Sequence, residues 1–454
     1  MPLIATLIPG IICVIVLLRN KTQDALLDVV LPVLLLIPVD FYLRIKPLPP
    51  LNMIEAALIP LGIGMLIRDA PRWRFSRTDL WLAIYIFSYG YADRRMGQST
   101  ASIFRWFVVV TTGLIPYMAG KLLIEQNGIR AKTIKRFISL LFIASIFSMY
   151  EYVKKSNPYQ YFWGHFYPGQ WAGWITQTRW GFGRVAGPYA QSELAGMILL
   201  TGLLFTLWLG HRRYRSRDVG SLETIRFNHV KLVTFILFIT LGMTQARGPW
   251  LGTVIALPVA WIGLGRFPKR RALLVLVIGI VVGIPAYIAG KDYASGRRTD
   301  YGSEKETAQY RSELMDNYIP IAEQGGAWGW GPLGFPKING QVSIDNEYLL
   351  VYLAQGYVGL TAFVLLLAET AFALAREGLK SKSIRDRHFI FSMLAVVLGI
   401  SFVLGTVYLG AQSYEVLFLL IGWSQSIRGI RRLNSVIEVR VPQLAHDSLM
   451  RVYT

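Results

Sequence analysis

Several polar residues in this chain stand at the edges of long apolar runs, where chemistry is the usual reason to tolerate them. Asp345, Asn346 and Glu347 open the apolar run that continues to Leu360. Asp345 there can take a proton from a hydroxyl as a general base, or cap the helix that follows. Arg247 lies in TQARGPWLG, residues 244–252, a turn so tight that the guanidinium is held close to the apolar zone. A lone Arg costs on the order of 2.5–3.5 kcal/mol at full depth and less near the interface, so it needs an anionic partner or must snorkel to headgroups. Glu193 begins another apolar run, where the helix macrodipole favours a carboxylate. Asp40 and Glu55 also lie in or near apolar runs, and each reads as a helix-end or interhelical hydrogen-bonding group.

The elements that must position these residues are membrane spans. The chain has 454 residues, 53% hydrophobic and 16% charged, with a mean hydropathy of +0.42. Its apolar residues come in long blocks, which excludes an ordinary soluble protein. The blocks predict an all-α integral membrane protein of about 12–13 transmembrane helices in a single polytopic domain, 1–454. One span is expected over 26–43 and another over 347–375. The net charge of +20 follows the topology: roughly two thirds of the 47 Lys and Arg residues fall in alternate loops, such as 68–77, 130–136, 211–217, 269–271 and 376–387, and in the tail. The positive-inside rule makes those loops cytoplasmic and the others external, so the basic balance does not signal nucleic acid. Cys13 is the single cysteine, which precludes an intrachain disulfide. The first apolar stretch lacks a basic flank and a cleavage site and reads as a retained span.

The external segments are distinctive. Residues 154–188 are rich in aromatic side chains, among them Tyr161, Trp163, Trp171, Trp174 and Trp180, and hold His165, the only external histidine and a substitute base. Aromatic faces stack on sugar rings, and Trp and Tyr also form belts at membrane interfaces. The segment closes with RVAGPYAQSELAG, residues 184–196. A large external loop, 291–346, is polar at first, then helix-like around Arg311, and ends in the Gly-aromatic turn WGWGPLGF with Gly329 and Gly331.

Four segments in this order resemble the signatures of the O-antigen ligase and O-antigen polymerase superfamily of bacterial membrane proteins. They are Arg184, Gly187 and Tyr189; Arg247 and Gly248; Arg311 with Gly329 and Gly331; and Asp345-Asn346, followed after nine intervening residues by Gly356 and Gly359. Together they cover 184–360. The chain departs from the pattern in having Ser192-Glu193 where Pro-Asn is common, Ala246 for Ser, and Asp345 where ligases carry His.

The resemblance implies a polyprenyl-pyrophosphate-dependent glycosyltransferase of cell-surface polysaccharide biosynthesis in the bacterial cytoplasmic membrane, working on its external, periplasmic face. Arg184, Arg247 and Arg311 would hold the pyrophosphate of the lipid-linked glycan donor, since guanidinium forks bind phosphate oxygens bidentately and keep their charge. Asp345 would be the base toward the glycan or lipid-linked acceptor, with Asn346, Glu193 and His165 as accessory residues. No metal or other cofactor is called for, and no metal-ligand spacing appears on this face. Asp-Asn in place of the ligase His looks more like the polymerases, which join repeat units, than like ligases that move glycan to lipid A core. A protein acceptor and, in another class, a transporter or flippase of lipid-linked sugars stay open. A flippase would be expected to line a path through the bilayer with charge, whereas these residues gather at one face.

Overall fold

The computed structural model describes residues 1–170, 175–214, 227–294, 304–341, 343–410 and 412–427. Trp171, Trp174, much of the basic 211–217 cluster, the basic tail and part of the 291–346 loop lie outside the described residues. The protein is an all-α membrane protein, with 76% of the described residues helical and almost no strand among them. Seven helices among the described residues are long and apolar enough to cross a bilayer: Pro2–Arg19, Ser99–Ile124, Arg130–Lys154, Ser192–His211, Pro268–Ala294, Glu347–Lys380 and Ile384–Val403. Other expected spans form shorter or more polar helices, including Met53–Arg68, Arg77–Arg95, Phe227–Met243 and Arg247–Ile262.

The span expected over 26–43 stops at Leu36, because Ile37 turns extended, with φ −112° and ψ 127°. Pro38 follows it, and the residue before a proline is pushed out of the helical region. The chain then makes a small hairpin, Tyr42–Leu43 paired with Leu51–Asn52.

Ile384–Val403 lies at the centre of the bundle, packed against Arg247–Ile262, Glu347–Lys380 and Ser192–Tyr214. Large side chains such as Trp423, Phe389, Phe391 and Phe418 are fully buried in the bundle. Pro268–Ala294 has no buried residue. Its all-round apolar surface, with Leu273, Val281 and Ile284 exposed, suits lipid rather than water.

The loops sort onto two ends. At one end Arg68 reaches Asn20, Arg72 reaches Asn127, Arg130 pairs with Asp386 at 2.7 Å, and Arg387 donates to the Gly265 carbonyl at 2.6 Å. At the other end Gln170 bonds Tyr42, Arg179 donates to the Gln245 carbonyl, and Gln412 spans the carbonyls of Ile37 and Pro188. Each end collects the loops that charge counting placed on one side.

Candidate active site

Three helices begin at the second of these ends, at Ser192, Arg247 and Glu347. Their N-terminal amides and macrodipoles make that region favourable to anions.

Arg184 leaves the hairpin formed by Thr178–Arg179 and Phe182–Gly183. Its guanidinium donates to Gln177 Oε1 at 2.6 Å and pairs with Glu193, which fixes its orientation. The hairpin is tied to the Arg247 turn by Arg179, which donates to the Gln245 carbonyl at 2.7 Å, and by the Val185 amide on the Met243 carbonyl. Gln245 has φ 51°, the left-handed conformation that lets the chain reverse between two helices without a longer loop.

Beneath the Arg184 segment, the buried carboxyl of Glu151 accepts the amides of Ala186 and Gly187 and the side-chain amide of Asn157. Asn157 in turn donates to the Gly187 carbonyl at 2.7 Å. A carboxyl takes the place of secondary structure here, satisfying backbone donors that would otherwise be buried unpaired.

Arg311 comes from the loop helix Glu304–Gly325 and donates to the Thr406 carbonyl at 3.1 Å. Burial pushes its pKa below the ordinary guanidinium value, Asp345 and Glu193 draw it back up, and Arg247 pushes it down. Those fields require the four groups to be neighbours. The Nε atoms of Arg184 and Arg311 are buried and have no hydrogen-bond partner among the described residues.

The Glu347–Lys380 helix is capped by Asn346, whose side chain accepts the Leu349 amide at 3.1 Å. The reading of Asp345 as the cap is therefore overturned: the chain enters the helix one residue later. Asp345 accepts a hydrogen bond from the Ser343 hydroxyl at 2.9 Å. Glu347 clamps the start of this helix to the connection after Val403, its amide donating to the Leu404 carbonyl and its carboxyl accepting the Leu409 amide.

The final signature is not one continuous helix. Gly356 has φ 66° and ψ −168° and breaks it. The 326–331 turn docks against the opened backbone, with Trp330 and Gly331 amides on the Leu353 and Ala354 carbonyls and the Val358 amide on the Ala327 carbonyl. A Cβ on Gly356 would lie 2.4 Å from Ala327 backbone, and one on Gly329 would lie 2.5 Å from the Gly356 nitrogen. Backbone meets backbone here, and the loop that carries Arg311 is locked onto the helix that presents Asp345.

The structure thus brings Arg184, Glu193, Arg247, Arg311 and Asp345 together. His165 is exposed at the end of Pro158–Gly164, its Nδ1 against the Tyr161 carbonyl. Tyr408 was not legible beforehand: its phenol is pushed up by burial, is hydrogen bonded with Gln191, and feels Asp40, Asp345 and Glu193. Glu151 carried a signal that passed unused, a carboxylate at the end of an apolar run. Among the described residues no group of three or more His, Cys, Asp and Glu side chains is arranged to hold a metal.

A membrane-embedded helical bundle, with three guanidiniums and the carboxylates of Glu193 and Asp345 gathered at one end, is the class of protein to which this chain belongs. Within that class, residues 232–364 match the O-antigen ligase family model. The matched stretch contains the Arg247, Arg311 and Asp345 segments, and over it the chain is similar to the O-antigen ligase family. No curated protein matches the chain.

Proposed function

We propose that the protein is a polymerase-like glycosyltransferase that moves a glycan from a polyprenyl-pyrophosphate carrier to a growing sugar chain, on the external face of the bacterial cytoplasmic membrane. The observation that carries this reading is the gathering of Arg184, Arg247 and Arg311 around Asp345, where three helix N-termini meet.

The pyrophosphate lies among the three guanidiniums. Asp345 takes the proton of an acceptor hydroxyl as its oxygen forms a bond to the anomeric carbon. The bond from that carbon to the pyrophosphate oxygen breaks, and the electron pair leaves with the lipid pyrophosphate. The arginines stabilise the charge that develops there, and Asp345 afterwards releases its proton to water. Glu193 holds Arg184 in place before donor binding, a positioning role.

The test is the banding pattern of surface and lipid-linked polysaccharide in a deletion strain complemented with wild type or with Asp345→Asn. The polymerase reading expects single repeat units on the outer acceptor in the deletion strain, and no rescue by Asp345→Asn. Long chains accumulating on the polyprenyl carrier would make the protein a ligase. Unchanged glycan pools would sink the transferase reading in favour of a transporter.

A further inference from the structure

A second feature lies beside this site, at the same end of the bundle. A cavity of about 460 Å³ is walled by Glu55, Glu347 and Glu415, by Tyr85, Tyr89 and Tyr414, and by Gln355. Its size falls in the range of about 300–1,000 Å³ usual for small-molecule sites. It reaches the surface at Leu333, which is 71% exposed.

The wall is unusual for a membrane bundle. Glu55, Glu347 and Glu415 are no more than 4% exposed, and Glu55 and Glu415 are close enough to feel each other's charge. The nearest cation on the wall, Arg105, is engaged by Asp93 at 3.4 Å. Two polar atoms on the wall are unsatisfied among the described residues: Oε2 of Glu415, 2% exposed, and Nε2 of Gln355, a fully buried residue. Gln355 Oε1 already accepts from Ser88 at 2.8 Å, so its amide nitrogen is the end turned toward the cavity and the Tyr85 phenol. Buried acceptors and donors left without partners cost about 1–3 kcal/mol each, and a site built to hydrogen-bond a ligand leaves such groups open when it is empty.

The ligand these groups suit offers several hydroxyl donors, at least one oxygen acceptor and an apolar face to lie on an aromatic ring. A pyranose ring has all three. Position points the same way. Glu347 follows Asp345 by two residues, a reach of about 7 Å along an extended chain. Leu409 and Gly410 line the cavity directly after Tyr408, which feels Asp345.

Resting on the transferase reading above, we propose that this cavity is the acceptor subsite: it holds a hexose-sized sugar ring, with Glu415 and Glu347 accepting its hydroxyls, Gln355 donating to one of its oxygens and a tyrosine ring beneath it.

The full-length protein in lipid nanodiscs, probed by saturation-transfer difference NMR with the methyl glycosides of glucose, galactose, mannose, rhamnose and N-acetylglucosamine, tests this. At least one glycoside should give a signal that falls five-fold or more in both Glu415→Leu and Leu350→Trp, the second of which fills the cavity. The signal should survive Arg247→Ala, which touches the donor side alone and also shows that a folded variant still binds. No signal with any glycoside in the wild type, or a signal retained in either cavity variant, overturns the subsite. Polysaccharide assembly in the complemented deletion strain reads the transferase proposal separately. Binding in the cavity with unchanged glycan pools would sink that proposal and leave a sugar site. Altered pools without cavity binding would do the reverse.

Discussion

At the scale of single residues, the site rests on charges that the apolar surroundings make costly and therefore purposeful. Arg184→Ala and Arg247→Ala should each lower polymer assembly by about 100-fold or more, as removal of a preorganised group at a developing charge does, while the protein stays inserted at normal levels. Full activity in either variant would remove that residue from the pyrophosphate site. Lysine should not restore function at Arg184, because its planar fork is used on two sides, toward Gln177 and Glu193. Asp345→Asn should cost on the order of 10²–10⁴-fold in transfer with little change in melting temperature, since the cap is made by Asn346. Asn346→Ala should instead cost about 1 kcal/mol of stability. A thermal melt of the two variants separates base from cap, and a large stability loss in Asp345→Asn would return it to a structural role.

At the scale of elements, the decisive feature is the broken helix of the final signature. Gly356 adopts a backbone conformation that is essentially reserved for glycine, and the 326–331 turn occupies the space its missing side chain leaves. Gly356→Ala should therefore destabilise the protein by about 1–3 kcal/mol from backbone strain alone, with a further loss from the clash, and should depress transfer because the Arg311 loop comes unlocked from the Asp345 helix. Gly279→Ala, on the lipid-facing helix where a Cβ meets nothing within 4 Å, should change neither melting temperature nor polymer pattern. Equal melts for the two variants would show that the docked turn does not hold the helix. In the same way Glu151→Ala strips the amides of Ala186 and Gly187 of their acceptor. It should lower stability by about 1–3 kcal/mol for each buried donor and disturb Arg184 without touching substrate.

At the scale of the whole molecule, the segregation of loops onto two ends is the feature that makes a one-sided site possible. A single buried cysteine, Cys13, makes this testable. In a Cys13→Ser background, Asn339→Cys should react with a membrane-impermeant maleimide in cells stripped of their outer envelope. Lys382→Cys should react only after the membrane is opened. Labelling of both from one side would overturn the orientation drawn from the loop charges. The helix Pro268–Ala294 stands out from the bundle with no buried residue and leads directly into the loop that carries Arg311. Its exposure makes lipid part of the structure in which the site is assembled.

The amino-acid sequence by itself determined the class of fold, and it carried the expectations of sidedness and of the arginines. Long apolar blocks have only one solvent that suits them, Lys and Arg distribute by a rule that needs no contacts, and a guanidinium or carboxylate at the edge of a span advertises its cost. Other features were decided by tertiary structure. Whether Asp345 or Asn346 caps depends on where the backbone enters the helix, a shift of one residue that composition does not record. Gly356 reads as an ordinary glycine of a membrane helix until the 326–331 turn is docked on it. Glu55, Glu347 and Glu415 are hundreds of positions apart or on different helices, and each alone reads as a helix-end carboxyl. Only packing places them on one cavity wall, because a shared site is a property of distances in space, and spacing along the chain constrains those distances only within a single element.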